Sequence, residues 1–318
     1  MPVIGAEGSP YLAKGKWQIF TGYRFQRSDR HFVGKEEQKQ RYTIGNEVIN
    51  TINLVDFAAT YAFNQRFSLT ASAPLLFANR NQAVTSAGKV VGRFSTQGNG
   101  IGDLSVTART WLLKPTSHAN ENIAIGLGVK FPTGNSGVRD TFQTLAGPVE
   151  RTIDQSVQPG DGGYGIVLEG QAFKYMWKTT FSIAGVYLLN PKNTNGVPTF
   201  RSNPYEQVMS VTDQYLVRVG AAVPVIPEYG LALTFGGRIE GVPIWDLIGG
   251  SDGFRRPGYA VSLEPGFIYS RGANSYSLTA PFAVSRDRSR SVADRKVGGH
   301  GDAAFADYVI LFGYSRRF

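Results

Sequence analysis

Cysteine, histidine and long apolar runs are what this 318-residue sequence has least of. With no cysteine, the chain cannot form disulfides or thiolate metal sites, and its three histidines offer no ligand spacing for a metal. No window approaches the roughly 18 to 20 apolar residues that a membrane-spanning helix needs. These absences exclude disulfide-stapled domains, zinc modules and helical membrane proteins.

Residues that favour strands and turns are abundant instead: 38 Gly, 15 Tyr, 20 Phe and 4 Trp. The mean hydropathy of -0.17 is mildly polar. A membrane-spanning β-barrel can have such a value, because only every second residue of each strand faces lipid. The composition therefore favours an all-β fold and leaves a membrane location open.

Apolar residues alternate with polar or small residues along the whole chain. In residues 55–63, for example, Val55 and Phe57 share one face of a strand, whereas Asp56 and Thr60 share the other. About twelve segments repeat this pattern, which is typical of barrels whose strands face lipid on one side and a lumen on the other. The sequence therefore predicts a transmembrane, antiparallel, up-and-down β-barrel of about 12 strands.

Connections of two lengths alternate between the predicted strands. Short ones occur at residues 64–65, 114–121, 176–177, 224–229 and 271–274, and long polar ones at about 28–47, 79–99, 134–160, 190–207, 245–256 and 287–303. Outer-membrane barrels combine short periplasmic turns with long extracellular loops. We therefore expect residues 1–318 to form one barrel domain in the bacterial outer membrane, with 1–14 as a periplasmic segment. No signal peptide is visible, so we take the chain as mature.

The last predicted strand has Tyr308, Ile310, Phe312 and Tyr314 on one face, and the sequence ends at Phe318. It resembles the terminal strand of bacterial outer-membrane proteins, in which the barrel assembly machinery reads a final aromatic residue. The resemblance implies that machinery as a partner through Phe318. A soluble β-sandwich with an aromatic core is the competing interpretation, since an apolar strand face does not reveal whether it meets lipid or protein.

If the large apolar residues face lipid, the opposite face of each strand lines the barrel interior. Its charged members, which we predict to line a pore, are Arg24, Asp56, Arg109, Lys130, Glu169, Arg218, Arg238, Glu240 and Glu264. Two interpretations remain open for them. Either they pair into a ladder of ion pairs that seals a structural barrel, or they form a hydrated constriction that sorts solutes by charge and size.

Small and apolar residues share this inner face with the charges. Glycine, alanine and serine leave space, whereas larger residues supply apolar surface. The larger ones are Phe20, Leu54, Leu76, Trp111, Val167, Phe173, Leu188, Leu216, Ile268 and Leu311. The mixture suits a narrow amphiphilic passage for small solutes, including hydrophobic or aromatic compounds. The alternative, which stays open, is that the inward apolar residues only pack beneath loops.

Three glycine-rich segments flank predicted strands: Gly100–Leu104 (GIGDL), Lys130–Gly134 (KFPTG) and Gln158–Gly163 (QPGDGG). They resemble segments of the outer-membrane transporter-like family named after the meta-pathway of phenol degradation. The resemblance implies a barrel that passes hydrophobic or aromatic compounds, and it carries over no catalytic residue. Taken alone, the glycines, aspartates and prolines are ordinary turn formers.

The formal net charge is +9, and many basic residues fall in the predicted extracellular loops. They are Arg27, Arg30, Lys35, Lys39, Arg41, Arg80, Lys89, Arg93, Arg255, Arg256, Arg286, Arg288, Arg290, Arg295 and Lys296. We expect this positive mouth to bind the phosphates of lipopolysaccharide and other outer-membrane lipid, or to attract anionic solutes. Nucleic acid is not an expected partner, because the basic residues are scattered along loops and strand ends.

The histidines are the residues on which an outer-membrane lipid-modifying enzyme or protease would depend. His31 and His300 fall in predicted loops and His118 in a predicted turn, and His300 lies near Asp302. Solvated histidines explain these positions better than an acid–base pair, so we expect no enzyme, no catalytic residue, no metal and no cofactor. The leading hypothesis is a passive outer-membrane channel for small solutes, ahead of a sealed structural barrel and, third, such an enzyme.

Overall fold

Twelve antiparallel strands form a closed barrel in the computed structural model, which describes residues 11–318. In chain order they are β1 (Trp17–Val33), β2 (Ile49–Ala62), β3 (Phe67–Ser86), β4 (Lys89–Ile101 and Leu104–Trp111), β5 (Glu121–Phe131), β6 (Gly165–Met176), β7 (Thr179–Leu189), β8 (Gln214–Ile226), β9 (Leu231–Val242), β10 (Gly258–Arg271), β11 (Asn274–Thr279 and Phe282–Asp287) and β12 (Ala303–Arg317). Each strand pairs with its successor, and β12 pairs with β1. The predicted fold class and strand number are confirmed.

Closure of the sheet satisfies the backbone of both terminal strands. The pairing of β1 with β12 runs from Gln18 opposite Arg317 to Phe32 opposite Ala303. A closed sheet has no unpaired edge, which is the condition for placing strands in hydrocarbon. The strands are also long enough, because a tilted transmembrane strand needs roughly 9 to 11 residues.

The outer face of the barrel is a band of large, exposed apolar side chains. Leu127 is 61% exposed and Phe235 59%. Others on this face are Trp17, Ile19, Phe57, Phe77, Ile123, Ile125, Ile183, Val219, Leu233 and Phe312. A continuous apolar exterior of this kind is stable only against lipid, so a soluble β-sandwich with an aromatic core is excluded.

Short turns gather at one end of the barrel, at residues 63–66, 112–120, 177–178, 227–230 and 272–273. Longer connections at the other end cover residues 34–48, 132–164, 190–213, 243–257 and 288–302. The predicted loop at 79–99 is wrong, because β3 and β4 continue there as a hairpin that turns at Ala87 and Gly88, both with positive φ. Its residues are polar because the hairpin projects beyond the apolar band and needs no lipid-facing row.

Short elements decorate the loops and turns. The helices are Gln40–Ile44 and Val292–Lys296, the 3-10 turns are Gln155–Val157, Pro204–Glu206 and Pro227–Tyr229, and the loop strands are Glu36–Glu37, Arg139–Thr144, Gly147–Thr152, Thr194–Pro198 and Val208–Ser210. Within residues 11–318, no helix is both long and apolar enough to cross a bilayer.

The apolar core lies inside the loop end of the barrel. Phe142, Ile153 and Val157 from the longest loop pack on Leu54 of β2 and Leu76 of β3. Loops 190–213 and 243–257 join this core through ion pairs described below. We call loops 132–164, 190–213 and 243–257 together the plug, because they fill the loop end of the lumen.

Little of the predicted periplasmic segment, residues 1–14, can be compared with the structure. Residues 1–10 lie outside the described residues. The remainder lies at the turn end of the barrel, where the ring of Tyr11 contacts Trp111 and Phe173.

Candidate functional site: the barrel interior

The structure places all nine predicted pore-lining residues on the inner face of the barrel. Arg24, Asp56, Lys130, Arg238 and Glu264 are buried, and the other four are partly exposed to the lumen. Eight of the nine take part in ion pairs that fall into four groups. Their position inside the barrel follows from strand parity, whereas a pore-lining role stays a prediction.

One group of charges crosses the lumen. Arg24 on β1 lies 3.3 Å from Glu240 on β9, and three strands separate β1 from β9 along the shorter arc of the wall. Glu240 also accepts a hydrogen bond of 2.5 Å from Arg238. Two arginines therefore share one carboxylate, which leaves the group with a net positive charge in the middle of the barrel.

Two further pairs each reach over one intervening strand. Arg109 on β4 donates to Glu169 on β6 at 2.6 Å, and Arg218 on β8 donates to Glu264 on β10 at the same distance. The strand between the first pair presents Gly126, where an added Cβ would lie 3.1 Å from the Glu169 carboxylate. The glycine thus leaves the space through which these side chains meet.

Lys130 belongs to a junction between the barrel wall and the longest loop. Its ammonium lies 3.2 Å from Asp103, in the break of β4, and also pairs with Asp161 of the loop. The backbone N–H of Gly134 donates to the other oxygen of Asp103 at 3.0 Å. An added Cβ at Gly134 would lie 2.8 Å from Cα of Gly160, so the two backbones touch.

This junction unites the three glycine-rich segments that the sequence presented as separate turns. Sequence reasoning missed Asp103 and Asp161 as partners of Lys130. The available signal was an aspartate in two glycine-rich segments and a lysine on the inner face in the third. Together they fasten the long loop to the wall, and we call this contact the glycine junction.

A single carboxylate ties the plug together. Asp154 is fully buried and accepts two hydrogen bonds of 2.7 Å from Arg256. Arg80 on β3 lies 3.4 Å away and Arg201 3.6 Å away. Burial acts to raise the pKa of Asp154, but the three guanidinium groups outweigh it and hold the pKa well below its usual range.

A second buried pair lies within loop 243–257 and connects it to loop 190–213 through Ser210. Asp246 and Arg255 are both fully buried and share hydrogen bonds of 2.5 and 3.0 Å. Arg255 also donates to the hydroxyl of Ser210, and Asp213 accepts from the backbone of Asn190 at 2.7 Å. Loop 243–257 is therefore bound to loop 190–213 by a charge-assisted hydrogen bond.

Most basic residues of the predicted positive mouth have acidic partners. These ion pairs include Arg30 with Glu37 and Asp307, Arg41 with Asp302, Arg93 with Glu47, Arg286 with Asp307, Arg288 with Asp294, and Lys296 with Asp252. Such pairing weakens the positive field at the loop end. Binding of lipopolysaccharide and the role of Phe318 in assembly stay predictions.

The histidines make structural contacts. His31 lies in β1 rather than in a loop, because β1 extends beyond the predicted boundary to Val33. Its Nε2 accepts from the backbone N–H of Val48 at 2.8 Å, so its Nδ1 carries the proton that is donated to Asp302 at 2.7 Å. His300 does not pair with Asp302, and its Nε2 lies 2.6 Å from the carbonyl of Arg288.

Two adjoining cavities occupy the lumen between the plug and the turn end. The smaller, of about 200 Å³, is lined by residues that include Trp111, Asp56 and Glu169. The larger, of about 500 Å³, is lined by residues that include Phe173 and Ser182. Both mix apolar rings, small side chains and charges, which is the composition of a site for a small amphiphilic molecule.

The fold defines the class of protein: a twelve-stranded barrel of the bacterial outer-membrane type. A similar solved structure is the COG4313 outer membrane channel from Pseudomonas putida F1, with a TM-score of 0.62 and 14% identity over 96% of this chain and 97% of that one. The toluene transporter TbuX of Ralstonia pickettii is less similar, at a TM-score of 0.46 and 10% identity over 96% and 90%. No family model and no curated protein matches the sequence, so the family noted above stays a resemblance.

Proposed function

We propose that the protein is an outer-membrane channel for small solutes, with hydrophobic and aromatic compounds as the favoured class. The observation that carries the proposal is the pair of lumenal cavities, whose walls combine aromatic rings with ion-paired charges. The neighbour from Pseudomonas putida F1 is itself an outer membrane channel, which is consistent with this role. The plug and the ion pairs are the features that favour the alternative, a sealed structural barrel.

A lumen-blocking substitution tests the proposal. Ser182 on β7 points into the larger cavity, so Ser182→Trp should fill the passage and lower single-channel conductance in a planar bilayer at least twofold. The preceding residue, Phe181, faces lipid, so Phe181→Trp provides a matched control that should conduct like the wild type. A silent bilayer containing correctly inserted wild-type protein would instead support the sealed barrel.

The solute class needs its own measurement. Indole added to one side of the bilayer should interrupt the wild-type current transiently, because the aromatic solute occupies the narrow lumen as it passes. Glycerol lacks an apolar ring and should leave the current steady. Equal effects of the two solutes would contradict the preference for aromatic compounds while leaving the channel itself intact.

A further inference from the structure

An aromatic side chain of the protein itself occupies the turn end of the lumen. The ring centroid of Tyr11 lies 5.1 Å from that of Trp111 and 5.9 Å from that of Phe173. Those two rings lie 5.8 Å apart at an interplanar angle of 87°, so they form two perpendicular walls around Tyr11. Offset and edge-to-face contacts at these distances are the favourable arrangements for aromatic rings.

The hydroxyl of Tyr11 is satisfied in both of its hydrogen-bonding roles. It donates to the carbonyl of His118 at 2.9 Å and accepts from the side-chain amide of Asn122 at 2.9 Å. Asn122 is only 1% exposed, and its amide oxygen accepts from the backbone N–H of Leu113 at 3.0 Å. The amide is therefore oriented by the barrel, and it presents its N–H whether or not Tyr11 is there.

These groups form a slot with defined chemical selectivity. Trp111 and Phe173 supply two aromatic faces, Asn122 supplies a donor and His118 supplies a carbonyl acceptor. A neutral ring that bears one hydroxyl group fits all four. A ring without the hydroxyl would leave an N–H of Asn122 and the His118 carbonyl without partners, and the loss is costly at Asn122 because that side chain is buried.

We propose that this slot is a binding site for hydroxylated aromatic solutes and that Tyr11 is an internal competitor which such a solute displaces. The inference rests on the proposed channel function for its biological meaning. The slot has a suitable position, because Trp111 also lines the smaller cavity and Phe173 the larger one. Solute that leaves either cavity toward the periplasm therefore meets it.

Competition by Tyr11 sets the apparent affinity for the solute. A site that is vacant for only a fraction of the time binds with an affinity reduced by that fraction. The backbone bond from Gly15 N–H to the Ala62 carbonyl, at 2.8 Å, anchors the segment next to β1. Tyr11 is four residues from that anchor, so its ring can leave the slot while β1 keeps its pairing.

Isothermal titration calorimetry with 4-methylphenol, the side-chain analogue of tyrosine, tests the inference on the full-length protein in detergent. Tyr11→Ala vacates the slot and should bind 4-methylphenol at least tenfold more tightly than the wild type. Tyr11→Phe retains the ring but not the hydroxyl, so it competes less well and should give an intermediate affinity. Toluene, which lacks the hydroxyl, should bind Tyr11→Ala at least tenfold more weakly than 4-methylphenol.

Matched variants separate the slot from unspecific partition into detergent or protein. Tyr229 lies in a periplasmic turn and is 69% exposed, so Tyr229→Ala should bind like the wild type. Phe173→Leu added to Tyr11→Ala should weaken binding. Equal or undetectable binding in wild type and Tyr11→Ala, or equal binding of toluene and 4-methylphenol, would overturn the site. If the protein conducts but does not bind 4-methylphenol in this way, the proposed channel function stands and the slot is refuted. If it binds 4-methylphenol but does not conduct, the slot stands and the channel function is refuted.

Discussion

Asp154 is the residue on which the plug depends most directly. Its carboxylate has no solvent exposure, and it brings together Arg80 from β3, Arg201 from loop 190–213 and Arg256 from loop 243–257. Removing one partner of a buried ion pair costs about 3 to 5 kcal/mol, because the remaining charge is left uncompensated. Loss of this carboxylate leaves the buried charge of Arg80 and the partly exposed charges of Arg201 and Arg256 without their shared partner.

Asp154→Asn should therefore loosen the plug without changing its shape. We expect the variant to show at least a twofold higher single-channel conductance at neutral pH. Asp307→Asn is the control, since Asp307 forms ion pairs with Arg30 and Arg286 at a half-exposed position where such pairs contribute only about 0 to 1 kcal/mol. Unchanged conductance in Asp154→Asn would mean that apolar packing by Ile153 and Val157 suffices to hold the plug.

The lowered pKa of Asp154 also fixes the expected pH dependence. A carboxyl whose pKa is depressed by folding stabilises the folded form fully above its unfolded value of about 3.9, and this contribution is lost as pH falls through the depressed value. Burial acts to raise the pKa of Asp302, but hydrogen bonding to His31 and the charge of Arg41 outweigh it and lower that pKa to about 2. Asp302 therefore also stabilises the folded form at neutral pH and loses this contribution in acid. Wild-type conductance should stay constant from about pH 8 to pH 5 and increase only below about pH 4.

At the scale of elements, local pattern predicted the strands but not what joins them to the loops. Alternation identifies β2 and β5 because the side-chain period of a strand is fixed by its own backbone. The glycine junction depends on the meeting of Gly134 and Gly160, which are 26 positions apart and belong to no repeating pattern. The hairpin beyond residue 79 was missed for a related reason, since strands outside lipid need no apolar face.

The glycine junction should not tolerate a side chain. An added Cβ at Gly160 would lie 2.4 Å from the carbonyl oxygen of Gly134, so Gly160→Ala should detach loop 132–164 from the wall. We expect faster cleavage within this loop by protease added to intact cells. Gly137→Ala in the same loop is the control, because its nearest atoms would lie 3.8 and 3.9 Å away. Equal cleavage of both variants would show that the close backbone contact does not hold the loop.

At the scale of the whole molecule, the contact between Arg24 and Glu240 links two parts of the wall that are separated by three strands. Parity predicted that both side chains face inward, and the structure agrees. Which of the nine charges meet could not be predicted, because partners across a lumen depend on barrel diameter and strand stagger. The proposed slot could not be predicted from the sequence either, because Tyr11, Trp111 and Phe173 are remote in sequence.

Neutralising Glu240 should change which ions the lumen favours. Glu240→Gln leaves Arg24 and Arg238 without their shared carboxylate, so the lumen gains positive charge. The reversal potential measured in a KCl gradient should shift toward greater anion selectivity. Glu228 lies in a periplasmic turn, and Glu228→Gln should leave the reversal potential unchanged. A shift of equal size in both variants would place the ion path away from the cross-lumen group.

The hairpin formed by β3 and β4 gives the barrel an exposed site for inserted sequence. β2 pairs with β3 only as far as Asn81, so residues 82–86 pair with β4 alone and extend roughly 17 Å past the neighbouring strand. Its tip at Ala87 and Gly88 is distant in sequence from the plug loops, which begin at residue 132. Exposed hairpin tips of this kind accept inserted sequence. An epitope tag placed there would display the protein on living cells to antibodies that cannot cross the membrane.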